Sequence, residues 1–349
     1  MKHLLFLLSL LGLVGCGSSS RHAPLPKKAQ FAYILNSGDD TISQYKVSSS
    51  GELIPLATAT VATGVFPASM VMDVNQKYLY VANANDDTIS QFVIGSDGAL
   101  TALGSPIATG STPQGLSVSL DGRFLYAMNL SGESITQYAI GASGELTLVA
   151  TKAHTEGPMN LTFSPSGKFA YVVNGDTSIS QFSVALNGTL APLTPATIAS
   201  SGCPSGPLGT TQTTAGEFIY VLSCFTEEVE VFSVRANGGL TSQEIVKTGL
   251  SPQGMIVAGK NLYIANSGEG TLSMFAIQTN GKLAALSQPT VSASYTPETL
   301  AADDVSAYVI DFMDGKVQQY TVKTNGELTI SSHSPVATGT SPIRILLKY

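Results

Sequence analysis

One pattern occurs seven times in this chain of 349 residues, and the repeat constrains the fold more than any other feature. Each copy has a tyrosine inside a short apolar run, as in AYIL, LYVA and IYVL. The seven tyrosines are Tyr33, Tyr80, Tyr126, Tyr171, Tyr220, Tyr263 and Tyr308. Their spacings are 47, 46, 45, 49, 43 and 45 residues. A period of this length without sustained helical periodicity indicates a repeated β unit.

Three further markers accompany each tyrosine. A second aromatic residue follows eleven or twelve positions later, at Tyr45, Phe92, Tyr138, Phe182, Phe232, Phe275 and Tyr320. A glycine-containing turn before leucine comes next, as in SGEL, DGAL and NGKL. The last marker is a proline, at Pro67, Pro113, Pro158, Pro207, Pro252, Pro297 and Pro342.

The markers divide each unit into four short strands separated by turn residues. In the third unit we predict strands near Gly115–Ser119, Phe124–Met128, Ser134–Ile140 and Leu146–Ala150. Four antiparallel strands in about 45 residues are typical of a β-propeller blade. The sequence therefore predicts an all-β, seven-bladed β-propeller. The near-identical DDTISQY (39–45) and DDTISQF (86–92) are then one strand in two blades, repeated because the same inter-blade packing is repeated.

The two ends of the repeat region complement each other. The region begins within the second strand of a unit and ends after a proline-led first strand, SPIRILLKY. We predict that Pro342–Tyr349 pairs with Phe31–Leu35, which closes the ring without a free sheet edge.

The N-terminus, MKHLLFLLSLLGLVGC, has a short basic start and an apolar run too short to span a bilayer, as in a secretory signal peptide. Its LVGC ending resembles the lipobox of bacterial lipoproteins, which implies cleavage before Cys16 and lipidation of that cysteine. The alternative is an ordinary signal peptide with a chance cysteine. We expect a signal peptide at 1–15, a polar tether at 16–30 and the propeller at 31–349. The protein is then exported and anchored to the cell envelope, and Gly17 favours the outer membrane by analogy with lipoprotein sorting.

The two remaining cysteines, Cys203 and Cys224, precede a first strand and follow a second strand of the same unit. Those ends meet in an antiparallel hairpin, so we predict a disulfide, which an exported protein retains; two buried thiols are the alternative. The chain lacks CxxC, so we expect no metal site and no cofactor. A net charge of −7 argues against nucleic acid, and we expect a monomer.

The stretches YVAN…DTISQF…DGAL and the proline-led strand before DGRFLY resemble the lactonase-type seven-bladed propellers. That family includes bacterial 6-phosphogluconolactonase and the fungal muconate-lactonizing enzyme, and the resemblance covers about residues 30–349. LYVAN is also similar to the YVTN-type propeller repeats of surface proteins. The resemblance implies lactone hydrolysis by His and Arg side chains that follow such prolines at the central mouth. A base and a positive group suit that chemistry.

This chain departs from the family pattern, because no histidine follows any of the seven prolines. GPMN stands where the family often has Gly-Pro-Arg-His. The candidate ligand-binding residues at the mouth are Gln114, Asn160, Gln253, Glu298 and Arg344. We expect Glu298 and Arg344 to form a charge pair there, either as part of a site or as a structural ion pair.

Only two histidines lie in the repeat region. We expect His154 in an exposed loop near the mouth and His333 in an outermost strand. Our first hypothesis is a binding module for an unknown protein or small molecule at the central mouth. The alternative is a lactonase-like hydrolase with a rearranged site that uses Glu298, Arg344 and His154, since fold analogy alone does not transfer catalysis.

Acidic residues concentrate in the loops that should surround the mouth, which contain 13 of the chain's 24 acids. These acids are Asp39, Asp40, Asp86, Asp87, Glu133, Glu156, Asp176, Glu227, Glu228, Glu269, Glu298, Asp311 and Asp314. Such a face favours cations or basic partners and disfavours phosphorylated sugars. The alternative is that Asp serves there as a turn residue.

Overall fold

A computed structural model describes residues 28–200, 208–223 and 225–349 as 30 β-strands and connecting turns. The predicted signal peptide, Cys16 with most of the tether, and both partners of the predicted Cys203–Cys224 disulfide lie outside these residues. Within them, no helix has the length and apolar character needed to cross a membrane.

The strands form seven separate antiparallel sheets of four positions each, as the repeat predicts. The innermost strands are β4 (Pro67–Met72), β9 (Pro113–Val118), β13 (Pro158–Phe163), β17 (Leu208–Thr213), β21 (Pro252–Ala258), β25 (Pro297–Ala302) and β30 (Pro342–Lys348). The second strands are β1 (Phe31–Asn36), β5 (Tyr78–Asn83), β10 (Phe124–Asn129), β14 (Phe169–Asn174), β18 (Gly216–Ser223), β22 (Asn261–Asn266) and β26 (Ser306–Asp311).

The outer half of each sheet follows the same order. The third strands are β2 (Thr41–Val47), β6 (Thr88–Ile94), β11 (Ser134–Ile140), β15 (Ser178–Val184), β19 (Glu228–Val234), β23 (Thr271–Ile277) and β27 (Lys316–Val322). The outer strands are β3 (Leu53–Ala62), β7 (Leu100–Ala102) with β8 (Ile107–Ala108), β12 (Leu146–Ala153), β16 (Leu190–Ala199), β20 (Leu240–Lys247), β24 (Leu283–Ser292), and β28 (Leu328–Ile330) with β29 (Val336–Ala337). We number the blades by their second strands, so blade 1 contains β1 and blade 7 contains β26.

The ring closes where the sequence predicts. Strand β30 pairs with β1, from Phe31 opposite Lys348 to Leu35 opposite Arg344. Each innermost strand also contacts the innermost strands of both neighbouring blades, and β30 lies between β25 and β4. The seven innermost strands therefore surround one central axis, and blade 1 contains both ends of the propeller chain.

Apolar packing occurs between blades. The described residues form seven buried clusters, and each cluster joins side chains of two adjacent blades. One cluster packs Ile34 of blade 1 against Ile310 of blade 7, so the blade that joins the chain ends is sealed like the others. The repeated apolar strands are thus buried by their neighbours, because a single sheet cannot cover its own faces.

The repeated tyrosine and the repeated turn glycine meet across every interface. Each tyrosine hydroxyl donates to the carbonyl of the glycine in the outer turn of the next blade, at 2.6–2.9 Å. The last of these bonds joins Tyr308 of blade 7 to Gly51 of blade 1. The glycines have φ between 77° and 88°, which explains why this position is glycine. Burial raises the pKa of all seven hydroxyls, so they remain protonated donors.

We expect Tyr171→Phe to lower the free energy of unfolding by about 1 kcal/mol, because it leaves the Gly238 carbonyl without its donor. Urea denaturation followed by tyrosine fluorescence measures the change. Tyr295→Phe is the matched control, since Tyr295 is 79 % exposed. Equal stability of the Tyr171→Phe and control variants would contradict a structural role for the inter-blade bond.

Candidate functional site

A β-bulge follows the proline of most innermost strands. In β4, for example, Pro67 lies opposite Asn83 and Ser69 lies opposite Ala82, so Ala68 is the extra residue. The same irregularity marks β9, β13, β21, β25 and β30. A bulge redirects the side chain of the extra residue. The positions after the prolines therefore differ in orientation from the rest of each strand.

Redirected side chains such as Ala68, Gln114 and Gln253 line part of a cavity of about 340 Å³ among the innermost strands, which we call the central cavity. Its lining comprises Ser37, Gly38, Phe66, Ala68, Gln114, Gln253, Glu298, Thr299, Phe312, Ser341, Ile343 and Arg344. Four of the five predicted ligand-binding residues are therefore brought together from blades 1, 3, 6 and 7. Among the lining residues that were not predicted from the sequence are two aromatic ones, Phe66 and Phe312. Phe66 directly precedes Pro67, and this position beside a repeated proline was the sequence feature that could have identified it as a lining residue.

Glu298 and Arg344 are half-buried in this cavity. Burial raises the pKa of Glu298 above its ordinary value, and the positive charge of Arg344 only partly offsets this effect. Burial likewise lowers the pKa of Arg344, with Glu298 opposing the shift. The two charges interact electrostatically, as a charge pair would, but in the described part of the chain neither side chain has a hydrogen-bond partner or a direct salt bridge. Their polar atoms are therefore available to a bound molecule.

Two glycines allow the innermost strands to approach closely at this level. A methyl group on Gly254 would lie 2.5 Å from the carbonyl oxygen of Glu298 and 2.7 Å from the Thr299 Cα. The equivalent atom on Gly115 would lie 2.4 Å from the carbonyl oxygen of Met159. The Gly254 contact places the backbone of Glu298, and hence its carboxyl group, beside β21.

Asn160, the fifth predicted ligand-binding residue, does not line the central cavity. It follows the bulged residue Met159 in β13, opposite Val173. The bulge makes Met159, rather than Asn160, the extra residue of the strand. Blade 4 contributes no polar side chain to the lining of this cavity, whereas Arg344, which likewise follows the bulged residue of its strand, does line it.

The expectation of an exposed His154 is wrong, because its side chain is 5 % exposed. Its Nε2 atom lies 2.7 Å from Asn174 Oδ1 and 3.3 Å from the Ser180 hydroxyl. In blade 2, the matching Asn83 accepts from the backbone N–H of Gly64 instead. His154 therefore replaces a structural backbone contact within blade 4, and it is not among the residues that line the central cavity.

His333 lies in a turn between β28 and β29 rather than within a strand, because the outer strand of blade 7 is interrupted there. Its backbone carbonyl accepts a hydrogen bond from Gln319. The ring Nε2 lies 4.0 Å from Glu52 of blade 1. This position is on the outside of the ring, remote from the innermost strands.

The loops between second and third strands share one face with the loops that lead into the innermost strands, as expected. Hydrogen bonds join the two kinds of loop. The backbone N–H of Ala84 donates to the carbonyl oxygen of Phe66, and the backbone N–H of Ser37 donates to the carbonyl oxygen of Ser341. We call this side the entrance face and the opposite side the basal face.

Several entrance-face acids serve as turn residues. Asp40 and Asp87 have φ of 53° and 52°, and their carboxylates accept from the backbone N–H of Phe66 and Thr112 in the next blade. This geometry explains the second Asp of each repeated DD pair; the first Asp, Asp39 or Asp86, accepts from the backbone N–H of Thr340 or Val65. The charges persist nevertheless: the backbone N–H of Thr340 lowers the pKa of Asp39, and Lys247 lowers that of Glu228. The structural role and the acidic face therefore coexist.

Nowhere in residues 28–200, 208–223 and 225–349 do three His, Cys, Asp or Glu side chains come together in a way that would hold a metal ion.

We expect Glu298→Gln to raise protein stability near neutral pH and to leave it almost unchanged near pH 4. A carboxyl with a raised pKa stabilises the folded state fully below its unfolded pKa, and this contribution is lost as pH rises through the folded pKa. The glutamine side chain does not ionise, so the Glu298→Gln protein does not lose this stability as the pH rises. Thermal unfolding midpoints of both proteins between about pH 4 and pH 8 measure the difference.

Glu327→Gln is the control of opposite sign. A hydrogen bond from the Ser287 hydroxyl lowers the pKa of Glu327 to about 2. Its stabilising contribution is present above the unfolded pKa and is lost as pH falls. Glu327→Gln should therefore destabilise the protein at neutral pH and less so in acid. A Glu298→Gln gain that is equal at all pH values would refute buried charge as its cause.

The comparisons with known proteins agree with this architecture. The family model described as "Lactonase, 7-bladed beta-propeller" matches residues 25–114, 108–202 and 153–297. No curated protein sequence matches the chain.

Several solved structures share the fold. A periplasmic gluconolactonase of Pseudomonas aeruginosa is 18 % identical, with a TM-score of 0.78 over 91 % of this chain and 99 % of that one. A putative 6-phosphogluconolactonase from Bacteroides fragilis is 20 % identical, with a TM-score of 0.75 over 90 % and 97 %. A protein from Lactobacillus plantarum is 17 % identical, with a TM-score of 0.78 over 91 % and 99 %. At these identities the likeness concerns the fold alone.

Proposed function

The chain belongs to the lactonase family of seven-bladed β-propellers, and from this premise we propose that it binds a small, neutral, hydroxyl-rich molecule in its central cavity. The observation that carries the proposal is a set of four polar side chains, Gln114, Gln253, Glu298 and Arg344, that line one cavity of about 340 Å³. A cavity of this size is within the range of small-molecule sites.

The chemistry of the lining suits alternating hydroxyl and carbonyl groups. Each glutamine amide offers one acceptor and two donors, Glu298 accepts, and Arg344 donates through several N–H groups. Phe66 and Phe312 supply apolar surface at the same cavity. A sugar-like ring presents hydroxyl groups at its edge and apolar C–H groups on its faces, so it can use both kinds of contact.

Charge favours a neutral ligand over an anionic one. The one arginine in the cavity is accompanied by Glu298, and the surrounding loops contain the acids described above. Such a field disfavours phosphorylated sugars. The Pseudomonas neighbour is a gluconolactonase, and a neutral sugar lactone fits these requirements.

We further propose that the mature protein is exported and anchored to the bacterial cell envelope through lipidated Cys16. The support is the short apolar N-terminal run that ends in LVGC. The Pseudomonas neighbour is described as periplasmic, which is compatible with an exported relative.

A second candidate function, hydrolysis of such a lactone, is favoured by one observation. Glu298 is a carboxyl group with a raised pKa in the same cavity as a guanidinium. A carboxylate of this kind is a suitable general base for water, and Arg344 is a suitable donor to the developing oxyanion. This site would lack the histidine that the family pattern leads one to expect.

Calorimetry and lactone turnover distinguish the two functions. The purified propeller is titrated with neutral sugars, sugar lactones and phosphorylated sugars, and acid release from each lactone is followed in a pH-stat. We expect saturable binding of a neutral compound without turnover above the spontaneous rate. Turnover that is lost in Glu298→Ala and Arg344→Ala would establish the hydrolase instead. Absence of any binding to the three classes would refute the proposed ligand.

A further inference from the structure

The basal face of blades 2 to 4 exposes three apolar loop residues. Val74 is 50 % exposed, Leu120 is 53 % exposed and Leu186 is 89 % exposed. Arg123 and Lys168 are exposed beside them. We call these five residues the basal patch. Apolar loop tips flanked by basic side chains do not contribute to the core of the propeller or to its central cavity.

The basal patch is continuous across three blades. Leu120, Arg123, Lys168 and Leu186 line one cleft of about 260 Å³. The Val74 side chain lies against the next basal turn, since a methyl group on Gly122 would lie 2.5 Å from it. The apolar residues therefore form one surface rather than isolated exposures.

Arg123 gives this surface a defined geometry. Its Nη2 donates to the carbonyl oxygen of Leu186 at 2.5 Å, and its Nε donates to Asp121 at 2.7 Å. The guanidinium also lies over the ring of Phe124, 5.1 Å from its centroid. Arg123 of blade 3 thus holds the turn of blade 4 that contains Leu186.

The described chain begins on the same face. The backbone N–H of Ala29 donates to Asp303, which lies in the basal turn between β25 and β26. Eleven residues lie between Cys16 and Lys28, so the two are at most about 40 Å apart when the chain is extended. A membrane that anchors the lipidated Cys16 proposed above would therefore lie within reach of the basal face.

Charge differs between the two faces of the ring. The entrance face has thirteen acids and, in Lys152, Lys247, Lys316 and Arg344, four bases. The basal face has nine acids and ten bases. Its acids are Glu52, Asp73, Asp97, Asp121, Glu145, Glu217, Asp303, Asp304 and Glu327. Its bases are Lys28, Lys46, Lys77, Arg123, Lys168, Arg235, Lys260, Lys282, Lys323 and Lys348. An anionic surface would therefore repel the entrance face much more strongly than the basal face.

We propose that the basal patch lies against a membrane surface containing anionic lipid, with the entrance face directed away from it. Leu120, Leu186 and Val74 insert at the level of the headgroups, while Lys168 contacts a lipid phosphate and Arg123, already paired with Asp121, holds the Leu186 turn in place. Apolar insertion and electrostatic attraction add in such contacts. The orientation leaves the central cavity open to the aqueous side, and it is independent of which molecule that cavity binds.

Vesicle sedimentation tests the proposal with residues 17–349, which retain every inter-blade interface described above. The probes are vesicles of phosphatidylcholine alone and vesicles containing about a quarter phosphatidylglycerol. We expect more protein to sediment with the anionic vesicles than with the phosphatidylcholine vesicles. The bound fraction should fall several-fold in Leu120→Ser/Leu186→Ser and by less in Lys168→Gln. Tyr295→Ser/Met313→Ser is the matched control, because these residues are 79 % and 68 % exposed on the entrance face.

Two outcomes would overturn the proposal. The first is vesicle binding that is absent, or that falls equally in the patch and control variants. The second is a dimer in sedimentation velocity that Leu120→Ser/Leu186→Ser dissociates, which would assign the patch to a second copy of the chain. Unchanged thermal unfolding of the variants verifies that each one is folded.

Discussion

Replacing Arg344 by alanine should weaken binding of the sugar-like ligand about 10- to 100-fold. Hydrogen bonds to a charged group contribute about 1.5–3 kcal/mol, and each 1.4 kcal/mol is about tenfold in Kd. The guanidinium makes no hydrogen bond or ion pair with any described residue, so its donors are free for a ligand. Calorimetric titration of both proteins with the tightest compound of the screen measures the loss.

The control separates this effect from a general loss of the fold. Arg123→Ala removes an arginine on the basal face and should leave the affinity within about twofold of the original. The main chain of Arg344 pairs with Leu35 in β1, and this pairing does not depend on the side chain. Arg344→Ala should therefore unfold at a temperature close to that of the unchanged protein. Equal affinities for Arg344→Ala and the unchanged protein would remove Arg344 from the site.

Gly254→Ala should destabilise the propeller by about 2 kcal/mol and also weaken ligand binding. The added methyl group would lie 2.5 Å from the Glu298 carbonyl oxygen, and backbone atoms cannot move aside as a flexible side chain can. Overpacking of a closely packed contact typically costs about 1–3 kcal/mol. Relief of the clash separates β21 from β25 and displaces the carboxyl group of Glu298 from the cavity. Urea denaturation and ligand titration measure the two effects.

Gly175→Ala is the matched control, because a methyl group on Gly175 would make only ordinary van der Waals contacts. Its added methyl group would meet no atom closer than 3.5 Å, and its φ is not positive. We expect this variant to be as stable as the unchanged protein or slightly more stable. A Gly254→Ala protein that is equally stable and binds the ligand normally would show that β21 and β25 tolerate separation. The close approach would then have no part in positioning Glu298.

The sequence predicted the architecture because repeated residues have the same structural task in each blade that contains them. The tyrosine and the turn glycine meet in a hydrogen bond between blades, and the DD pair closes a turn and holds the next blade. The strands predicted for the third unit agree with the structure to within three residues at each end. Each of these tasks is local or spans one neighbouring blade, so a fixed spacing along the chain is sufficient to reveal it.

The candidate site was only partly predictable, because the seven positions after the prolines are equivalent in sequence but not in space. Gln114, Gln253, Glu298 and Arg344 line the central cavity as predicted, whereas Asn160 does not. Asn160 and Arg344 both follow the bulged residue of their strand, Met159 and Ile343, so sequence position alone does not separate them. His154 was expected to be exposed, and in its loop it is buried against Asn174 and Ser180 of the second and third strands of blade 4.

The sequence by itself determined the number of blades, their strand order and the closure of the ring by the last strand. A periodic pattern of apolar, aromatic and turn residues has one efficient way to bury its faces, which is against its own copies. The tertiary structure alone decided which polar groups share a cavity, and that Glu298 and Arg344 remain there without a direct ion pair. Those properties depend on bulges and on distances across the central axis, and spacing along the chain does not encode them.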